Sequence, residues 1–95
     1  MNRILTVKLL GHPEIRVDGT VVTFPFRQAE AIVYYLLMER TANKDVLADM
    51  IWGEKYDTGK MKANLRNALY IIRKLFGRDF LLEGKNDVLE INPQW

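Results

Sequence analysis

Between Lys60 and Arg78 the chain carries six cations (Lys60, Lys62, Arg66, Arg73, Lys74, Arg78) and no acidic residue, while apolar residues recur at spacings of three and four. That period is helical, and it divides the segment into faces. Leu65, Ala68, Leu69, Ile72 and Phe76 form one stripe. At about 100° per residue, Lys60, Ala63, Asn67, Tyr70 and Lys74 fall opposite it. Lys62, Arg66 and Arg73 share one flank, and Asn64 and Ile71 share the other. Such a helix needs a core to receive its stripe and turns its cations away from that core. The rest of the chain holds eight basic and twelve acidic side chains, so the net charge of +2 conceals a +6 segment on a body of −4. A basic helix on a small domain is the electrostatic footprint of a surface that meets a polyanion.

The first third reads as strand, turn, strand, turn, strand. Ile4, Val7, Leu9 and Leu10 belong to a β-forming run that ends at the Gly11-His12-Pro13 breaker. Glu14-Ile15-Arg16-Val17 alternates polar and apolar with period two, as a half-buried strand does. Asp18-Gly19 suits a tight type I′ turn, and the run from Thr20 to Phe24 returns until Pro25 stops it. Residues Arg27 to Arg40 then change to helical period. Ala29, Ile32, Val33, Leu36 and Leu37 make one stripe, and Tyr34, Tyr35 and Met38 carry apolar surface round the sides. That pattern predicts a helix buried between the sheet and the later helices.

Asn43 is placed to cap a second helix, from Lys44 to about Trp52, that buries Leu47, Met50 and Ile51 and ends at Gly53. After the polar loop Glu54-Lys55-Tyr56-Asp57, Thr58 or Asp57 caps a third helix over about 59–76. Gly77 is expected to close that helix in the left-handed conformation. Phe80-Leu81-Leu82 and Val88-Leu89-Glu90-Ile91 flank the turn Gly84-Lys85-Asn86-Asp87 and predict a two-stranded closing hairpin over about 80–91.

A chain of 95 residues with 48% apolar and 27% charged side chains reads as one folded domain. No apolar run has the length of a membrane span, and Lys8 interrupts the early apolar stretch that a signal peptide would need. The absence of cysteine excludes disulfides and thiolate metal sites, and fits a reducing, cytoplasmic setting. His12, the single histidine, sits in a turn with no second imidazole and reads as a surface residue. Neither a Ser/Cys–His constellation, nor a carboxylate cluster beside a ligand histidine, nor a phosphate-cradling glycine loop is present. No enzyme activity, metal or cofactor is therefore expected.

Sheet, three helices and hairpin is the order of a winged helix-turn-helix: an α+β fold with an N-terminal antiparallel β-sheet, a three-helix core and a C-terminal β-hairpin wing. In that fold the last helix lies in the DNA major groove and the hairpin reaches adjacent backbone or the minor groove. DNA binding needs cations for phosphates and hydrogen-bonding groups for base edges. Lys60, Lys62, Arg73 and Lys74 suit the phosphates. Arg66, Asn67 and Asn64 suit the bases, guanidinium on guanine and carboxamide on adenine. Tyr70 suits phosphate or sugar, and Lys85, beside Asn86 at the wing tip, suits the narrow minor groove.

Roughly five phosphate contacts predict a log–log salt slope of about −4 to −5 per domain. Two competing readings of the cationic face stay open: a merely solvated surface, and a docking face for an acidic protein. Arg73 also has a structural reading, paired with an acid such as Glu39 or Asp49. Trp52 either closes the small core or lends its indole N–H to a phosphate.

Leu9-Leu10-Gly11-His12-Pro13 followed by Arg16-Val17-Asp18-Gly19 resembles the opening of the antibiotic regulatory protein (SARP) family. Leu47-Ala48-Asp49 leading to Ile51-Trp52, then Asn64-Leu65-Arg66-Asn67-Ala68-Leu69-Tyr70 and Ile72-Arg73-Lys74-Leu75-Phe76-Gly77, is similar to the rest of that family's DNA-binding domain. The segment from Asn64 to Lys74 is the specific part, and the likeness covers nearly the whole chain. It implies an OmpR/PhoB-type winged helix and a bacterial transcription activator that binds direct repeats, with a second protomer in tandem. It also implies that the loop carrying Glu54, Lys55, Tyr56 and Asp57 is where RNA polymerase is contacted. Such regulators usually carry a helical activation domain after the wing, and some a receiver domain before the sheet. Neither is present here, so the chain is expected to be a DNA-binding domain excised from a longer regulator. Ile71 departs from the family, which tends to be polar or basic there. It is read either as half-buried or as touching a neighbouring protomer.

Overall fold

A computed structural model describes residues 4–95. Strand β1 (Leu5–Lys8) pairs antiparallel with β2 (Glu14–Val17), Leu5 opposite Val17 and Val7 opposite Ile15. Asp18 (φ 51°) and Gly19 (φ 86°) then turn the chain into β3 (Thr20–Val21). Positive φ at both positions is what a type I′ turn demands. The first strand is shorter than expected. It ends at Lys8, and Leu9 and Leu10 lie exposed beside His12. The third strand also stops early, at Val21 rather than Phe24.

Helix α1 (Arg27–Glu39) buries Ala29, Ile32, Val33 and Leu36. Met38 was expected to join that core but is 68% exposed. Helical geometry explains the difference, because Met38 projects from the side opposite the buried stripe. The helix therefore has one solvent edge and is not enclosed all round. Arg40 ends it with φ 73°, a conformation uncommon outside glycine, and its N–H bonds the Leu36 carbonyl.

That reversal starts a strand absent from the expected order, β4 (Thr41–Asn43). Asn43 then caps α2 (Lys44–Trp52), its Oδ1 accepting from the N–H groups of Asp45 at 2.9 Å and Val46 at 3.1 Å. Leu47, Ala48 and Trp52 are buried and Ile51 is half-buried. Met50 is 54% exposed, contrary to expectation, because it lies off the Leu47–Ile51 stripe. Helix α3 (Thr58–Phe76) follows, with Asp57 as its cap. Gly77 ends it with φ 135° and ψ 156°. The expected positive φ is present, but the residue is extended rather than left-handed helical. A Cβ there would also sit 3.3 Å from the Trp95 ring.

Strands β5 (Leu81–Glu83) and β6 (Val88–Ile91) close the chain around a tight turn at Lys85–Asp87. The hairpin is not a lone two-stranded ribbon. β6 pairs with β4 on its other side, Ala42 opposite Leu89 and Asn43 opposite Val88, giving the order β4-β6-β5. The described residues thus form a small α+β domain of three helices and two antiparallel three-stranded sheets. Among them, no helix is long and apolar enough to cross a membrane.

Where α3 meets the C-terminal strands, the core is aromatic. Phe76 and Phe80 stack at 4.1 Å between ring centroids, and Trp95 meets Phe80 edge-on at 5.0 Å. Both phenylalanines are fully buried. Asn43 joins this half of the molecule to α2, since its Nδ2 donates to the Asn86 carbonyl at 3.2 Å. One side chain thus caps a helix and ties down the hairpin turn. Asn43→Ala is expected to cost about 1–2 kcal/mol and to lower the melting temperature by roughly 5–10 °C, read by thermal denaturation. A shift below about 1 °C would contradict that role.

Candidate nucleic-acid interface

Asp57 starts α3 by accepting the Lys60 N–H on its carboxylate at 2.8 Å. The rotation of the helix then follows from its apolar stripe. Leu65, Ala68, Leu69, Ile72 and Phe76 are all buried, as the spacing predicts. Lys60, Ala63, Asn67, Tyr70 and Lys74 consequently all face solvent. The Lys74 Nζ lies 5.4 Å from the centre of the Tyr70 ring, a cation–π contact one helical turn apart. Lys62 and Arg66 are exposed on one flank, whereas Asn64 and Ile71 are half-buried on the other. For Ile71 this matches the half-buried reading.

Each flank borders a cleft. On the first, Lys62, Leu65, Arg66, Leu69 and Arg73 face Lys44 and Asp45 of α2 and Glu83 and Asp87 of the hairpin across about 260 Å³. Four cations and three carboxylates meet there, a net charge of +1. Glu83 is the junction. Its Oε2 accepts from Arg73 Nη2 at 2.9 Å, and its Oε1 pairs with Lys44 Nζ. The Lys44 hydrogen bond, partly offset by burial and reinforced by Arg73, holds the Glu83 carboxyl below the ordinary glutamate value.

Arg73 therefore does take a structural partner, but not Glu39 or Asp49. Its flank of α3 is turned to β5, while those two acids lie exposed on α1 and α2. Of the expected phosphate contacts, Arg73 alone is half-buried and ion-paired, and Lys60, Lys62 and Lys74 are exposed without a salt bridge among the described residues. Lys44 and Glu83 were not singled out from the sequence. Glu83 is ten positions from Arg73 and far from Lys44 along the chain, so no helical spacing links the three.

On the second flank, Asn64 and Asn67 share a cleft of about 230 Å³ with Phe26, Gln28, Trp52 and Tyr56. Trp52 is 7% exposed and belongs to the core, which favours the first of its two readings. The loop residues Glu54, Lys55, Tyr56 and Asp57 are all exposed. The N–H groups of Lys55 and Tyr56 bond the Trp52 carbonyl, and the Asp57 carboxylate is engaged as the cap. Lys85 is exposed in the hairpin turn beside Asn86 and Asp87, which both have φ 59°.

The outer face of α3 can thus offer ammonium groups, a carboxamide and a phenol along one line, with a guanidinium beside them. That chemistry matches a phosphate backbone and base edges. The Glu83 pairs also imply a dependence of stability on pH. A carboxyl depressed in the folded state stabilises fully above its unfolded value of 4.5 and loses that contribution as pH falls through the folded value. The gap in melting temperature between wild type and Glu83→Gln should therefore be widest near neutrality and close under acid, as measured by thermal denaturation across pH. A gap independent of pH would contradict the ion-pair geometry.

Compared with known proteins, the chain matches no family model and no characterised sequence.

Proposed function

We propose that this domain binds double-stranded DNA sequence-specifically and serves bacterial transcription regulation as an activator of the SARP type, built as an OmpR/PhoB-like winged helix. The observation that carries the reading is the outer face of α3. Lys60, Asn67, Tyr70 and Lys74 are exposed together because the five-residue apolar stripe behind them is buried. The succession of α2, a short loop, α3 and the β5–β6 hairpin supports it. α3 is the recognition helix for the major groove, and the hairpin is the wing on adjacent backbone or minor groove.

Within this reading Lys60, Lys62 and Lys74 take phosphates, Arg66, Asn67 and Asn64 take base edges, Tyr70 packs on the backbone, and Lys85 enters at the wing. Asn64 is the most recessed of these, so its reach to a base depends on the cleft that it shares with Asn67. A single domain of this size makes few contacts. Useful affinity comes from a second protomer in tandem on a direct repeat, and the loop Glu54 to Asp57 is left outward for RNA polymerase.

Selection of bound duplexes from a random pool, at stated salt, tests the proposal. A recurring direct repeat bound at least ~1,000-fold more tightly than random duplex is expected. Asn67→Ala should then relax sequence choice at one position, at a cost of about 1–3 kcal/mol on the preferred duplex. Lys74→Ala should weaken all duplexes alike and flatten the salt slope by about 1. Equal losses on every duplex for both variants would argue against base readout, and capture of an acidic protein in place of DNA would favour a protein-interaction module.

A further inference from the structure

The cleft between α2, α3 and β5 gathers four cations, Lys44, Lys62, Arg66 and Arg73, and two of them already share one carboxylate. Arg73 and Lys44 both pair with Glu83, and the three groups together keep a charge of +1. Lys62 and Arg66 line the same cleft without an ion pair among the described residues. The junction is open to solvent, since the Glu83 side chain is 40% exposed and those of Arg73 and Lys44 are 28% exposed. A carboxylate held by a bidentate arrangement of cations resembles, in charge and in oxygen geometry, a phosphate held the same way.

The geometry points to Glu83 as an internal counter-ion that occupies the place of a DNA phosphate, so that Arg73 and Lys44 reach the backbone only when a phosphate displaces its carboxylate. This rests on the DNA-binding reading above and adds two elements to it: Lys44 as a further phosphate-contacting residue, and Glu83 as the residue that sets how tightly the domain holds any duplex. The physical reason is competition. A cation that stays on Glu83 neutralises no phosphate and so frees none of the counter-ions condensed on the DNA, and the neighbouring carboxylate repels the incoming phosphate. Glu83 therefore lowers backbone affinity, which is independent of sequence, and leaves base readout by Asn67 and Arg66 untouched. Its effect is to weaken binding to selected and random duplex by the same factor, so that affinity is set without changing the ratio between them.

Glu83→Gln keeps the shape and removes the charge. Binding of a labelled random-sequence duplex and of a selected duplex is measured by fluorescence anisotropy over a series of salt concentrations. The variant is expected to bind both duplexes about three- to tenfold more tightly, with a salt slope steeper by about 0.9 for each phosphate newly engaged. In that background Arg73→Gln should cost more affinity than it does in the wild type, a non-additivity that reports the contact directly. In the wild type Arg73→Gln is expected to cost less than Lys74→Gln, because Arg73 is paired with Glu83 and Lys74 is not paired with an acid among the described residues.

Equal slopes for wild type and Glu83→Gln, with duplex binding retained, would overturn the role of Glu83 and leave the DNA reading standing. Weaker binding by Glu83→Gln would overturn it too, because the carboxylate would then be holding Arg73 in place for the phosphate. An Arg73→Gln loss larger than that of Lys74→Gln would have the same force. Binding of neither duplex by either protein would overturn both readings together.

Discussion

Burial of one side of α3 is the constraint on which the rest of the structure depends. Leu65, Ala68, Leu69, Ile72 and Phe76 enter a core shared with Leu47 and Trp52 of α2, Ile32 and Leu36 of α1, and Leu89 of β6. Truncating one of the larger of these to alanine typically costs about 2–5 kcal/mol, a large part of the stability of any domain this small. The helix cannot rotate without losing several at once. Its polar side is therefore presented as rigidly as its apolar side is buried, and lysine and asparagine positions on a surface acquire a defined geometry from leucine and phenylalanine positions beneath. The aromatic stack of Phe76, Phe80 and Trp95 extends the same anchoring to the start of β5.

Two polar residues then set how the hairpin sits against this helix. Asn43 caps α2 and holds the Asn86 carbonyl, while Glu83 joins β5 to both α2 and α3 through Lys44 and Arg73. The Glu83 pairs are weak in isolation. An exposed ion pair contributes about 0–1 kcal/mol, so the value of the Glu83 junction lies in where it puts charge. It leaves the outer face of α3 positive and brings the adjoining cleft close to neutral. The +6 segment is therefore not a uniform cationic surface but an open face beside a compensated one.

Local pattern made most of the helical architecture legible. The stripe of α3, the cap at Asn43 and the Asp18-Gly19 turn follow from spacing or from the backbone preference of single residues, and the structure shows each. Met38 and Met50 are apolar in sequence yet exposed in the fold, because helical angle turns both away from the core. Strand β4 was missed for a different reason. Thr41-Ala42-Asn43 is too short to alternate, and it is a strand only because Val88–Glu90 lies beside it. The Glu83 junction was illegible on the same grounds, since it joins three elements whose proximity is set by tertiary packing. Each exposed residue of the proposed recognition face could be named from periodicity, whereas its electrostatic neighbours could not.

The most direct test of the central claim is to titrate the isotopically labelled domain with duplex DNA and map the perturbed resonances by NMR. Changes concentrated on Lys60, Ala63, Asn67, Tyr70 and Lys74, with a second group at Lys85 in the hairpin turn, are the expected result. Changes confined to β1–β3 or to the outer side of α1, or no changes at duplex concentrations well above that of the protein, would contradict it.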